Sequence, residues 1–408
     1  MKNVYFLIGV IFLWSCGNTS ESPIAWKSIE KDLQSRLITT GDSSVIEIPA
    51  GNYMFTRALL LDGKKHVTIK GAGVDKTILS FAMQEEGAEG LKVSNAVNIV
   101  LEDFTIQDSK GDNIKVTDTD GITFRRVKAE WTGEPKSTNG AYAFYPVLSK
   151  NILIEECTAI GSSDAGIYVG QSDSVIIRNN TVYHNVAGIE SENSKYVEIY
   201  GNETYDNTGG ILVFDLPGLT QSGHTTRVFA NRIYNNNYRN FAPEGNIVAS
   251  VPPGTGLMLL ATRKIEIFEN EIIDNKTLGI GIASYDLIQA VGGGSSSGAA
   301  EIPEEQKSND YNPYYNDIYI HHNKIEDSHL LPTLKNDFGL LFLTKFPFTT
   351  PDIIIDGIVQ QGESLRICVK DNGDASYADL DAANDFESLH TDIQKVTCEG
   401  TPIPPIYL

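Results

Sequence analysis

From residue 90 onward the chain is written in short alternations of apolar and polar residues that return at a nearly fixed interval. A Gly-apolar-x-apolar unit appears as GLKV at Gly90, GAYA at Gly140, GIYV at Gly166, GIES at Gly188 and GILV at Gly210, with NIKV at Asn113 in the same style. Later copies are GLML at Gly256, GIGI at Gly279 and GLLF at Gly339. A second apolar unit follows nine residues behind the first in the most regular copies, at Ile99, Ile122, Val175 and Val197. Both units alternate with period two, so both predict strands. The AGI at Ala165 returns at Ala187, an interval of 22 residues.

A unit of that length cannot bury its apolar face alone and must stack on its neighbours. Helical repeats need a 3.6-residue period, and leucine-rich repeats a Leu-x-Leu signature; neither is present. The pattern therefore predicts a parallel β-helix with one turn per repeat. Counting three residues on from Leu101, Phe124, Ile154, Ile177, Ile199, Val228, Ile267 and Ile320 reaches Phe104, Val127 and Cys157, then five asparagines: Asn180, Asn202, Asn231, Asn270 and Asn323. Stacked amides both donate and accept, so such a column can satisfy itself inside the coil. One residue after the same apolar positions stand Glu102, Arg125, Glu155, Arg178, Tyr200, Phe229, Phe268 and His321, an outward column of alternating charge and then rings that would set register between strands.

The middle residue of each Gly-apolar-x-apolar unit should point outward, because its neighbours point in. Read in order these are Lys92, Lys115, Tyr142, Tyr168, Glu190, Leu212 and Met258. Removing the proton beside a uronate carboxylate needs that charge offset, a base and a proton donor. Lys115, Tyr142, Tyr168 and Glu190 are the catalytic candidates, with Lys92 beside them for binding. Exposed tyrosines also stack on sugar rings without chemistry, and an ordinary solvated sheet face would show the same residues. Two Pro- and Gly-bearing insertions, Asp215–Thr226 and Asn235–Thr255, interrupt the rhythm as functional loops do. They should bring Asp215, His224, Arg227 and Arg239 to one side of the later coils, while Asp164 and His184 lie in turns beside the stripe. Asp164, His184, Asp215, His224 and Arg227 are the further substrate-binding candidates. Paired acids among Asp164, Glu190, Glu192 and Asp215 keep a hydrolase open.

Charge narrows the partners. A formal net charge of −21 over 408 residues speaks against nucleic acid or an anionic lipid surface. Lys2 followed by the apolar run Val4–Trp14 reads as an export signal. Leu13-Trp14-Ser15-Cys16 resembles a bacterial lipobox, which implies a signal with its lipobox cysteine over 1–16, cut ahead of Cys16 so that Cys16 becomes the lipidated first residue, with 17–25 as a tether and the membrane touched only through the anchor. For an exported chain, Cys368 and Cys398, both beyond the last clear repeat, suggest a disulfide closing the tail. Cys157 falls within an apolar repeat. No Cys or His spacing suggests zinc, and the acidic stretch Asp371–Asp385 lacks the glycine of an EF-hand loop, so no metal or other cofactor is expected and calcium has no support.

These residues carry a resemblance. The chain is similar to right-handed parallel β-helix proteins of the pectate-lyase-like superfamily, and to bacterial exported parallel β-helix repeat-containing proteins in particular. GAYAFYPV, SDAGIYVGQS, NVAGIE, GGILVFDLPG and NFAPEGNIVA carry the narrower likeness. The opening segment fits too, with Trp26, Ile29, Leu33 and Leu37 on one helical face ahead of the first coils. The resemblance implies an all-β solenoid over 26–345 with a short N-terminal capping helix, and a disulfide-closed tail over 346–408. It implies no single activity, since the superfamily holds lyases, hydrolases, epimerases and non-enzymes. The expectation is a monomeric, lipid-anchored cell-envelope protein whose partner is a polysaccharide, with a uronate-containing one as the specific candidate. Lyase or epimerase chemistry, non-catalytic glycan binding and a surface scaffold contacting another protein all stay open.

Overall fold

The computed structural model describes residues 26–290, 302–326, 331–333, 337–346, 349–363 and 365–408. The expected signal, Cys16 and the tether at 17–25 lie outside them. Each regular coil lays one strand on each of three faces. The first face is a parallel sheet of eleven strands, from Arg57–Asp62 to Tyr377–Asp379. Second-face strands such as Asp173–Arg178 and third-face strands such as Thr181–Tyr183 form the other two sides. Val97–Gln107 and Asp120–Glu130 run unbroken around the edge between those sides and join them into one hydrogen-bonded network.

The register places like on like. Phe124 pairs with Leu101 and Ile154, Ile154 with Ile177, and Ile177 with Ile199. All five are fully buried, each contributing roughly 1.5–3 kcal/mol of apolar transfer. Outside, Glu155 accepts from Arg125 at 2.6 Å and from Arg178 at 2.9 Å. Beyond Tyr200 the rings of Phe229, Phe268 and His321 stack at 4.7, 4.8 and 5.2 Å. The outward column thus sets register by charge and then by stacking.

Every corner carries a polar ladder. Between the second and third faces, Asn202 Oδ1 accepts from the backbone N–H of Asn180 at 3.0 Å and from its Nδ2 at 2.9 Å, while Asn202 Nδ2 donates to Ile177 O at 2.9 Å. The pattern runs on to Asn323 and reaches a sixth asparagine, Asn372. The residue before each rung is left-handed, as at Asn179, Gly201, Ala230 and Glu269, which makes the sharp bend. A second ladder, Asn185, Asn207, Asn236 and Asn275, fills the corner between the third and first faces. At the remaining corner the hydroxyls of Ser149, Ser172 and Ser194 accept backbone N–H groups of the coil before.

The expected capping helix and the expected disulfide are both present, with different bounds. The capping helix is Glu30–Thr39 and buries Leu33 and Leu37, whereas Trp26 lies in a two-residue strand paired with Asn52 and is 38% exposed. The pairing of Trp26–Lys27 with Asn52–Tyr53 supplies hydrogen bonds that an extra helical turn would forgo. Glu30 accepts from the backbone N–H groups of Thr56 and Arg57, and Gln34 brackets the backbone of Leu60, so helix side chains close the sheet edge. The coils also continue past 345, because Ile353–Ile355, Ile367–Lys370 and Tyr377–Asp379 pair with the strands before them. Among these residues the disulfide Cys368–Cys398 spans a Cα separation of 4.9 Å. From it the chain returns over the second face, where Ile403 and Ile406 donate backbone N–H groups to Glu266 and Glu198.

Candidate functional site

The outward row of the first face runs Leu60, Lys92, Lys115, Tyr145, with Tyr168 followed by Glu190, Leu212 and Met258. Tyr145, not Tyr142, stands between Lys115 and Tyr168. The coil before it is lengthened by Thr132–Asn139, and the alternation in GAYAFYPV allows a strand frame three residues further on. Tyr142 pairs instead with Ala165 at the start of the strand. Its ring still lies 4.5 Å from both Tyr145 and Tyr168, so the three phenols form one cluster.

Behind the rings sits a pocket of acids. Tyr142 donates to Asp164 at 3.2 Å and Tyr168 to Glu192 at 2.8 Å. Glu190 is 1% exposed, and one of its oxygens has no hydrogen-bond partner among the described residues, as is true of Asp215. Burial, reinforced by Asp164 and Glu192, pushes the Glu190 carboxyl well above the usual range. Burial and the charge of Glu192 lift Asp164 to about 7, and burial lifts Asp215 to about 7 against a hydrogen bond from Gly223. Both phenols are raised by burial in turn.

The two insertions seal this zone. Leu216 and Leu219 from one, and Phe241, Ile247, Val248 and Val251 from the other, join Tyr142, Tyr168, Leu212 and Met258 in one apolar cluster. Asn246 reaches down to Asp164 at 3.3 Å, and Arg239 ties the cover to Pro135 O at 3.0 Å. The other end of the row stays half-open. There Lys115 lies 3.9 Å from Glu89 and 4.8 Å over the ring of Tyr145, with Lys92 beside it. Asp112 completes the group; burial lifts its carboxyl to about 7, Lys115 opposing and Glu89 adding.

The remaining candidates disperse. His184 is the left-handed residue at the corner between the third and first faces, its ring against Tyr183 and Tyr238. His224 and Arg227 belong to the second face; Asp215 accepts from Gly223 N–H at 2.7 Å and so lies beside His224, whereas Arg239 is tied to Pro135 elsewhere. Arg227 is held between Glu198 and Glu266 and stacks 4.8 Å over Phe229. Sequence reasoning missed Asp112, Glu89 and Tyr145. For Asp112 the signal was an acid two residues ahead of Ile114, at the offset where Ala165 precedes Ile167 and Ala187 precedes Ile189. Among the described residues no three His, Cys, Asp or Glu side chains converge as metal ligands.

Residues 57–225 match the family model described as "Right handed beta helix region". The molecule folds as a right-handed parallel β-helix. Its similarity to the pre-neck appendage protein of Bacillus phage B103 is 23% identity over 41% of the chain and 23% of that protein, so this β-helix protein spans under a quarter of the relative it matches. Among solved structures it is similar to the A-module of the mannuronan C-5 epimerase AlgE6 of Azotobacter vinelandii, with 14% identity, a TM-score of 0.50, and 85% and 89% of the two chains covered. It is also similar to the catalytic unit of a GH87 α-1,3-glucanase of Streptomyces thermodiastaticus strain HF3-3, with 13% identity, a TM-score of 0.52, and 85% and 51% covered. At these identities the two likenesses speak for the fold.

Proposed function

We propose that this β-helix protein is exported, anchored in the cell envelope through a lipid on Cys16, and acts on an acidic polysaccharide at the half-open end of its first face. The observation that carries the reading is the grouping of Lys92, Lys115, Tyr145 and Asp112, with Asp112 titrating near 7. The two lysines offset a sugar carboxylate and so acidify the carbon beside it. Asp112, whose carboxyl burial lifts to about 7, takes that proton. Returning a proton to the opposite side of the ring inverts the centre. Expelling the neighbouring glycosidic oxygen, with a proton from Tyr145, leaves an unsaturated uronate instead. Tyr142, Tyr168 and Glu190 form the neutral wall behind. The two enzymes named above, an epimerase of mannuronan and an α-1,3-glucanase, support the carbohydrate class, and the disulfide supports an oxidising compartment.

The test is incubation with a panel of acidic polysaccharides, read by ultraviolet absorbance of unsaturated products and by the uronate ratio in NMR. Lys115→Ala and Asp112→Asn should lower turnover by about 10²-fold or more. A second reading, glycan binding without chemistry, is favoured by the burial of Tyr168 and Glu190, 5% and 1% exposed. No product anywhere on the panel, with retardation in affinity electrophoresis, would select it. For the anchor, labelled fatty acid should enter the protein in cells and be lost in Cys16→Ala; labelling that survives the substitution rules it out.

A further inference from the structure

The corner between the first and second faces carries a long cleft, away from the outward row of the first face. Three hollows lie along it, of about 410, 470 and 320 Å³. The first two share Thr220 and Gln221, and the last two share His224 and Arg263, so they form one channel. Its floor is a single register row that passes from Asp120 through Lys150, Asp173, Lys195 and His224 to Arg263. Six rungs at strand spacing make it about 24 Å long, which suits an extended chain better than a small molecule.

Acids and bases both line it, Asp118, Asp120, Asp173, Asp310, Asp317 and Glu363 beside Lys150, Lys195, Arg263, Lys264 and Arg366, and three of the bases gather around His224. Burial, and then Lys195, Lys264 and Arg263 around it, hold the imidazole of His224 below its usual range, with Asp173 opposing them. Neither Lys195 nor Lys264 has a carboxylate at ion-pair distance among the described residues, although the chain bears a net charge of −21. Arg263 spends one nitrogen on the backbone oxygen of Asp310, while its Nε has no partner among the described residues. Ser222, 5% exposed and lining the same hollow, has a hydroxyl with no partner among the described residues. A buried hydroxyl and a guanidinium nitrogen without acceptors are groups that lose free energy until something fills the space. Tyr196 stands at the rim, 43% exposed and edge-on to His224 at 5.6 Å, where a sugar ring could stack.

We infer that this cleft binds an extended acidic saccharide, with one carboxylate or sulfate group seated among Lys195, Arg263, Lys264 and Ser222. The inference rests on the reading that the molecule engages acidic polysaccharide, but it concerns a different face from the proposed chemistry, so the two can fail separately.

The experiment uses the full chain carrying Lys115→Ala, which removes the proposed chemistry and leaves the cleft intact. Oligogalacturonates of graded length, a neutral glucan oligomer of matched length, free galacturonate and inorganic sulfate are titrated calorimetrically. Affinity should rise with acidic chain length up to about the cleft's span, and the neutral oligomer should bind at least tenfold more weakly. Lys195→Gln with Lys264→Gln should weaken the acidic oligomer at least tenfold without moving the melting temperature. Unchanged affinity in that double variant, equal binding of the neutral oligomer, or galacturonate or sulfate alone binding as tightly as the oligomer would each overturn the inference, as would no binding at all. Products from the native chain on the panel, with no binding to the cleft, would leave the first-face reading standing.

Discussion

Asp112, Asp164, Asp215 and Glu190 keep their protons to a higher pH than exposed carboxyls do, the first three to about 7. In the unfolded chain such groups release their protons near pH 4. Between those limits the folded state binds more protons than the unfolded one, so stability falls as pH rises from about 4 to about 7. Carboxylates whose range is depressed by a partner, such as Asp103 beside Arg126, contribute the opposite slope and only below about pH 4. Thermal unfolding should therefore show its highest midpoint near pH 4–5, and Glu190→Gln should stabilise the protein at pH 8 by ~1–3 kcal/mol while flattening the slope. A midpoint that climbs from pH 5 to pH 8 would mean the acids are solvated and the cover open. Backbone strain gives a separate test. Ala230 holds a φ of 52° at a corner where the preceding coil uses Gly201. Ala230→Gly should gain up to ~1 kcal/mol in urea unfolding, since a left-handed non-glycine residue costs about 1–2 kcal/mol and glycine returns part of that as unfolded-state entropy.

A ladder rung is worth more than its hydrogen bonds counted singly, because removing one amide strands its neighbours. Asn202→Ala would leave the N–H of Asn180 without its acceptor and take one of two partners from Asn180 Nδ2 and from Asn231 Oδ1 in a buried corner. The loss should be about 3–5 kcal/mol, from ~1–3 kcal/mol for the stranded N–H and ~1 kcal/mol for each further hydrogen bond lost, with faster hydrogen exchange confined to the coils around it. Exchange that quickens evenly along the solenoid would show that rungs are not local units. The first ladder was legible because the spacing from each inward apolar residue to its asparagine is constant. The second was not, because its asparagines precede a glycine unit whose own periodicity masks them, and hydroxyls as short as Ser149, Ser172 and Ser194 leave no distinctive mark in a sequence rich in serine. The stripe was legible wherever repeats kept their length. It failed at Tyr142, where Thr132–Asn139 shifted the frame, and an outward position misread by three residues carries the wrong side chain into the site. Asp112 stayed hidden for a different reason: its altered acidity comes from the protein packed around it, which no local pattern records.

At the scale of the molecule, a solenoid is exposed at its ends, and each end here is closed by a different device. The helix Glu30–Thr39 covers the first coil with two leucines and carboxylate and amide caps on the sheet edge. The last coils are held by the Cys368–Cys398 bond and by a strap that returns across Arg227, Glu198 and Glu266. The two parts of that closure should separate experimentally. Residues 401–408 are mostly exposed and donate two backbone hydrogen bonds to carboxylates, so truncating them should cost only about 1–3 kcal/mol at ~1.5 kcal/mol per charged hydrogen bond. The disulfide closes 30 residues of chain and should contribute about 3–4 kcal/mol by the loop-entropy relation. Because neighbouring coils support one another in turn, its loss should first fray the sheet at Ile367–Lys370 and Tyr377–Asp379. Cys398→Ser, compared with the truncation by hydrogen exchange, should therefore lose protection in those strands while Asp173–Arg178 keeps its own. Equal loss in both variants would place the stabilising contact in the strap rather than in the covalent bond, and Arg227 with its two carboxylates would then be what closes the solenoid.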